Sequence, residues 1–106
     1  MKLVYIAGPY RSNTRDGIAM NILRAKQVAL KYWKLGYAVI CPHMNTAHFD
    51  VDIPEQDYLW LEGDIEMLKR CDAIVMMSNW LESEGAKKEH RVALVLDMEI
   101  IYEEYE

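Results

Sequence analysis

The stretch GDIEMLKRCDAIVMMSNWLESEGAKKEHRVAL, residues 63–94, holds the end of one helix, a whole strand and most of a second helix. Its centre, Asp72–Met77 (DAIVMM), is a short apolar run that reads as a buried strand. The helix before it is predicted from about Glu55 to Arg70, and the helix after it from Ser83, as N-cap, to about Leu96. Working outward to the N-terminus, Lys2–Ala7 (KLVYIA) is a second apolar run, ended by Gly8-Pro9. Ile18, Ile22, Ala25, Val28, Ala29, Tyr32 and Trp33 then recur at helical spacing, predicting a helix from about Gly17 to Leu35 with Gly36 at its C′ position. Tyr37–Cys41 (YAVIC) is a further strand stopped by Pro42, and PHMNTAHFDVDIP (residues 42–54) reads as a polar loop. Toward the C-terminus, Glu99–Tyr102 reads as a short fourth strand.

Strand and helix thus alternate along the chain, the pattern of a parallel sheet covered on both faces. Right-handed crossovers leave few topologies. The expectation is an α/β flavodoxin- or Rossmann-like three-layer sandwich, with a parallel sheet of four or five strands in the order 2-1-3-4. Ligands of such folds sit beyond the carboxyl ends of the strands, at the switch point between the first and third strands. That rule nominates the loops at residues 8–16, 42–54 and 78–85.

Composition narrows the classes of function. The 106 residues predict one domain, residues 1–106, with an acidic tail from about 103. Apolar residues make up 52 % and charged residues 27 %, enough core for a globular protein. No apolar run approaches the roughly 18 residues of a membrane span, and the N-terminus passes from Lys2 directly into a strand, so neither a membrane partner nor a signal peptide is expected. Cys41 and Cys71 form no CxxC pair and read as reduced, buried thiols of a cytoplasmic protein. The net charge is −5, but residues 1–49 carry seven bases against one acid, and residues 50–106 five bases against sixteen acids. The acidic second half has no Lys/Arg footprint for a nucleic-acid polymer, while the basic first half leaves room for a small anionic ligand.

Two of the acids lack a surface explanation. Glu66 has Lys69 and Arg70 three and four residues on, and Glu82 and Glu84 sit at the start of a helix. Asp64, by contrast, has Trp60, Leu61, Met67 and Leu68 as its helical neighbours, and Glu89 has Gly85, Ala86, Val92 and Ala93. Each carboxylate interrupts the apolar stripe of its own helix. A buried carboxylate needs a partner or a raised pKa. One reading places each at a stripe edge, reaching water or a structural Arg. The other brings the two together at the switch point, where a carboxylate pair suits chemistry through an oxocarbenium-like state.

The loop after the first strand, YIAGPYRSN (residues 5–13), offers the guanidinium of Arg11 with Ser12, Asn13 and backbone N–H groups to an anion. It matches neither GxxxxGK[ST] nor GxGxxG, so the ATP-binding and dinucleotide-binding folds that carry those loops lose support. Ser83-Glu84-Gly85 is a second anion-site candidate. His43, Asn45, Thr46, His48, Asp50 and Asp52 crowd the 42–54 loop, but their spacing matches no zinc pattern, so no metal is expected. Contacts to a ligand from His43, Asn45 and Phe49 are the expectation there, with Trp33 and Trp80 in the core or at the rim.

Four segments together resemble the nucleoside 2-deoxyribosyltransferase-like superfamily, which includes the 2′-deoxynucleoside 5′-monophosphate N-glycosidases. They are YIAGPYR (5–11), the helix ending in GY before the second strand, GDIEMLKRCDAIVMM (63–77) and SNWLESEGAKKEHRVAL (78–94). The most specific piece is Ser83, Gly85 and Glu89 in Ser-x-Gly-x-x-x-Glu spacing, with Asp64 ahead of the CDAIV strand; the loop at 43–49 resembles that of short bacterial and phage relatives. The resemblance implies that Glu89 is a nucleophile toward C1′ of a deoxyribose, that Asp64 assists departure of the base, and that Tyr10 contacts the catalytic Glu. It further implies that Arg11 and Ser83 hold a 5′-phosphate. The reading of the loops adds Ser12 as a further phosphate contact, Asn13 as a group that positions the sugar, and Gly8, His43, Asn45 and Gly85 as further substrate-binding residues.

The expected function is therefore an N-glycosidase acting on a nucleoside 5′-monophosphate through a glycosyl-Glu89 ester, without cofactor or metal. Base exchange between nucleosides and a non-catalytic nucleotide-binding module are the alternatives. The resemblance also implies a homodimer or larger homo-oligomer, for which Ile22, Val28, Ala29, Tyr32 and Trp33 of the first helix offer a face.

Overall fold

The structure is a computed structural model that describes residues 1–54 and 57–104. Its strands are β1 (Leu3–Ala7), β2 (Ala38–Ile40), β3 (Ala73–Met76) and β4 (Glu99–Tyr102); its helices are α1 (Arg15–Lys34), α2 (Pro42–Asn45), α3 (Phe49–Asp52), α4 (Asp57–Leu68) and α5 (Glu84–Val95), with a 3-10 turn at Trp80–Glu82. The four strands form one parallel sheet ordered β2-β1-β3-β4, as the alternation predicts. The predicted helix start at Glu55, and Tyr105 and Glu106 of the acidic tail, lie outside the described residues.

Period-two alternation divides the two central strands between two cores. Val4, Ile6, Ala73 and Val75 face Ala25, Ala29 and Tyr32 of α1. Tyr5, Ala7, Ile74 and Met76 face Leu68 of α4 and Ala86 and Ala93 of α5. One helix thus covers one face and two cover the other, which makes the three layers. Apart from Leu3 at the start of β1, both central strands are buried, which is why they read as unbroken apolar runs. Alanines at the helix contacts let α1 and α5 lie close on the sheet.

Capping sets the helix ends. Thr14 precedes α1 and its hydroxyl accepts the N–H of Gly17 at 3.0 Å, so the helix starts at Arg15, two residues before the predicted start. Ser83 caps α5 as expected, accepting from Ala86 N–H. Gly36 takes φ +97° after α1, the left-handed conformation of a C′ residue. The second helix ends at Leu68 rather than Arg70.

Three expectations need correction. The 42–54 loop contains the single-turn helices α2 and α3, joined through His48 at φ 61°; four-residue helices are too short to leave a periodic signal. Glu103 is not part of a solvated tail: its N–H bonds Met76 O at 2.9 Å, continuing the β3–β4 pairing, and its carboxylate meets Lys31 at 3.0 Å. Cys41 and Cys71 are free thiols but only half-buried. On α1, Ala29 and Tyr32 are core residues, whereas Trp33 is 53 % exposed. Among the described residues no helix is long and apolar enough to cross a membrane.

Ala25 is fully buried between α1 and the sheet. Ala25→Leu adds volume that this contact cannot absorb, so it is expected to cost about 1–3 kcal/mol. A lowered urea midpoint at unchanged m-value is the expected result.

Candidate functional site

The carboxyl end of β1 opens into a cavity of about 720 Å³. The Gly8–Arg11 loop, Pro42 and His43 of α2, Trp60 and Asp64 of α4, and the first half of α5 bound it. Asp64 and Glu89, the two carboxylates that break their helical stripes, line this one cavity.

Glu89 is 7 % exposed, and a partner that the sequence did not nominate holds it. Alternation along β1 sends Tyr5 to the α5 side, where its hydroxyl donates to Glu89 Oε2. Burial raises the Glu89 carboxyl to about 8; the Tyr5 hydrogen bond opposes that shift and the charge of Asp64 adds to it. Burial alone raises half-buried Asp64 to about 6, and no described residue hydrogen-bonds to it. Burial and the neighbouring carboxylates push the Tyr5 phenol upward as well, so it remains a proton donor. Glu89 therefore keeps its proton to higher pH than Asp64, so that between about pH 6 and 8 the pair carries one proton in all.

The tyrosine expected to contact Glu89, Tyr10, is engaged elsewhere. Its hydroxyl donates to Asp50 Oδ1 at 3.1 Å and accepts the His48 N–H at 2.8 Å. Arg15 joins the same cluster, with Nη1 on Asp50 Oδ2 and Nη2 on His48 Nδ1, both at 2.7 Å. The guanidinium holds the Asp50 carboxyl below its usual range. The cluster ties the left-handed His48 corner to the β1 loop and to the start of α1. Tyr10 and Asp50 themselves line the cavity.

His43 acts on the protein's own backbone. Its Nε2 lies 3.1 Å from Gly8 O and 3.0 Å from Pro9 O, so the ring proton sits on Nε2 and is shared between two carbonyls. Burial lowers its pKa and keeps the ring neutral. His43 Nδ1 and Trp60 Nε1 are buried without a hydrogen-bond partner among the described residues. Gly8 leaves β1 so close to Met77 that a Cβ there would stand 2.4 Å from Sδ, which makes this glycine a packing requirement.

Other predicted contacts divide. Arg11, Ser83 and Gly85 line the cavity with Gly8 and His43. A Cβ at Gly85 would meet only Ser83 Oγ, at 3.8 Å, so this glycine leaves space open beside the cap. Ser12 lines a smaller neighbouring cavity, whereas Asn13 and Asn45 are exposed and line neither. Phe49 packs edge-on against Trp60 at 5.7 Å, and Trp80 meets His90 at 4.3 Å with the rings tilted by 36°. Among the described residues no three His, Cys, Asp or Glu side chains gather closely enough for a metal ion. Sequence reasoning missed Tyr5, Asp50 and Trp60. A hydroxyl inside an otherwise apolar strand was the available signal for Tyr5, since a buried phenol takes a partner.

The raised Glu89 fixes the sign of a pH effect on stability. An acid whose folded pKa lies above its unfolded value destabilises the fold as pH rises from the unfolded pKa, near 4.5, through the folded one, about 8. Glu89→Gln keeps an acceptor for Tyr5 and removes the ionisation. Its melting temperature is expected to match or exceed that of the parent at pH 9, and to vary less between pH 5 and 9. Parallel melting curves for the two proteins across that range would refute the assignment.

No curated protein matches the chain. A family described as a domain of unknown function, DUF4406, matches residues 2–102. That match runs from β1 through β4 and takes in every residue of the cavity, and the chain belongs to the DUF4406 family.

Proposed function

We propose that the protein is an N-glycosidase that cleaves the base–sugar bond of a nucleoside 5′-monophosphate, with a 2′-deoxy sugar, in the manner of the nucleoside 2-deoxyribosyltransferase-like enzymes its sequence resembles. The observation that supports this most is the pair of carboxyls in one cavity, one seated on a tyrosine hydroxyl and both with raised pKa values. In the first step the Glu89 carboxylate attacks C1′ and the C1′–N bond breaks, its electron pair leaving with the base. The Asp64 carboxyl supplies the proton the base takes up. In the second step water attacks C1′, Asp64 accepts its proton, and the ester oxygen returns to Glu89. Tyr5 holds Oε2 of Glu89 and leaves the other oxygen to attack.

An absent 2′-OH suits this route, because it makes the cationic transition state easier to reach. At the opposite end of the sugar, Arg11, Ser83 and the backbone at Gly85 take the phosphate. His43 and the Tyr10 cluster fix the walls instead of touching the reacting atoms. A second copy of the chain beside the open cavity, and a cytoplasmic setting, belong to the same proposal.

The reactive ionisation state carries one proton, on Asp64, with Glu89 charged. Because Glu89 holds its proton more tightly than Asp64, this is the minority arrangement of the singly protonated pair. Both arrangements rise and fall together with pH, so the rate follows a bell with limbs near 6 and 8. Incubation with each deoxynucleoside monophosphate, followed by chromatography, is expected to release free base fastest near neutral pH. Glu89→Ala should abolish that release. Equal release by this variant, or none from any substrate by the parent, defeats the proposal; release only with an added acceptor base would identify base exchange.

Gly85→Ala separates binding from folding. The protein leaves room for the methyl, and alanine is favoured over glycine inside a helix by roughly 1 kcal/mol. Thermal stability is expected to hold or rise, while KM for the nucleotide increases at least several-fold.

A further inference from the structure

Behind Arg11 lies a second, smaller cavity of about 300 Å³. It shares Pro9, Arg11 and Glu82 with the main cavity, so the two adjoin across the residue to which the proposed reaction gives the 5′-phosphate. Its far wall is one face of α1, where Gly17, Asn21 and Arg24 follow one another at helical spacing. Gly17 shapes it: a Cβ there would come within 2.0 Å of Ser12 Oγ, so only the bare backbone lets Ser12 turn back against the helix. Asn21 fixes the floor, donating to Tyr10 O at 3.0 Å and Arg11 O at 3.2 Å. Ser12, Arg24 and Asn79 remain as groups that can donate to a ligand. Among the described residues no carboxylate pairs with Arg24. Arg24 brings a guanidinium to this lining, with the Glu82 carboxylate on the side shared with the main cavity.

We infer that this second cavity is a subsite for the further phosphates of a nucleoside 5′-di- or triphosphate, and that the substrate class extends beyond monophosphates. The inference rests on the proposed orientation of the nucleotide, with its phosphate at Arg11. From there a phosphate chain continues into the second cavity and meets Ser12, Asn79 and the guanidinium of Arg24. That fork suits a phosphate oxygen pair. Glu82, at the saddle between the cavities, opposes the same anion and weakens a binding that the other groups favour.

Calorimetric titration of the full chain with deoxynucleoside mono- and triphosphates of the same base tests this directly, with base release measured in parallel. The triphosphate is expected to bind about tenfold more tightly, the scale of one added charge-assisted contact. Arg24→Gln should bring the ratio of the two dissociation constants toward one, and Glu82→Gln should widen it. Both residues are exposed, so neither change threatens the fold. Equal affinities in the parent, a ratio unmoved by Arg24→Gln, or no binding by either nucleotide overturns the subsite. Triphosphate binding with the expected response of both variants, but without base release, keeps the subsite and defeats only the glycosidase reading.

Discussion

The buried hydrogen bond from Tyr5 to Glu89 is the contact on which the arrangement of this protein turns. β1 lies between β2 and β3, with Tyr5 in register with Ile40 on one side and Ile74 on the other. A hydroxyl in that position has apolar neighbours along the sheet and must find its partner above it. Glu89, among the alanines that seat α5 on the sheet, has the same difficulty from the other direction. Each satisfies the other, and the bond fixes the rotation and height of α5 over the central strand. The position of Ser83, Gly85 and the cavity wall they form follows from that rotation.

The same contact shows which parts of the molecule a sequence can reveal. The sheet order was legible because buried parallel strands read as apolar runs, and because Gly8-Pro9, Gly36 and Pro42 mark where each run stops. Glu89 and Asp64 were legible as local contradictions, charged residues whose helical neighbours are apolar. Tyr5 was not, since a tyrosine within a strand violates nothing locally and its partner lies 84 residues away. His43 reads as a ligand contact because it stands in a loop at the carboxyl end of the sheet. Its partners proved to be backbone carbonyls 35 and 34 residues distant, which leave no trace in side-chain pattern. Arg11 and Ser12, adjacent in sequence, read as one anion loop. The space left open by Gly17 turns Ser12 into the second cavity, while Arg11 borders both.

The uneven charge along the chain has a partly internal explanation. Lys2 meets Glu99 at 2.8 Å and Lys31 meets Glu103 at 3.0 Å, each joining the basic first half to the acidic second half. Arg15 and Asp50 do the same at 2.7 Å beside the cavity. Exposed pairs of this kind contribute little each, about 0–1 kcal/mol. Their consequence is for field more than for stability: they neutralise charge at the sheet edge and at the rim of the His48 corner. Arg11 and Arg24 border the second cavity together with Glu82.

α5 is where the demands of folding and of the proposed chemistry meet. Ala86 and Ala93 pack on the sheet, Ser83 caps the first turn, Gly85 keeps the cavity open, and Glu89 follows one turn later. Four residues of helix place Glu89 about 6 Å along the axis from Gly85, a separation on the scale of a sugar with its exocyclic carbon. In the proposed reaction that rise measures the substrate: the helix start takes the phosphate, and the next turn presents the nucleophile to C1′. Lengthening or slipping α5 by a single residue would rotate Glu89 by about 100° away from Tyr5, so the helix can change its exposed face but not its phase. The distance of Glu89 from the start of α5 is thereby set by backbone geometry, and its protonation by burial against β1.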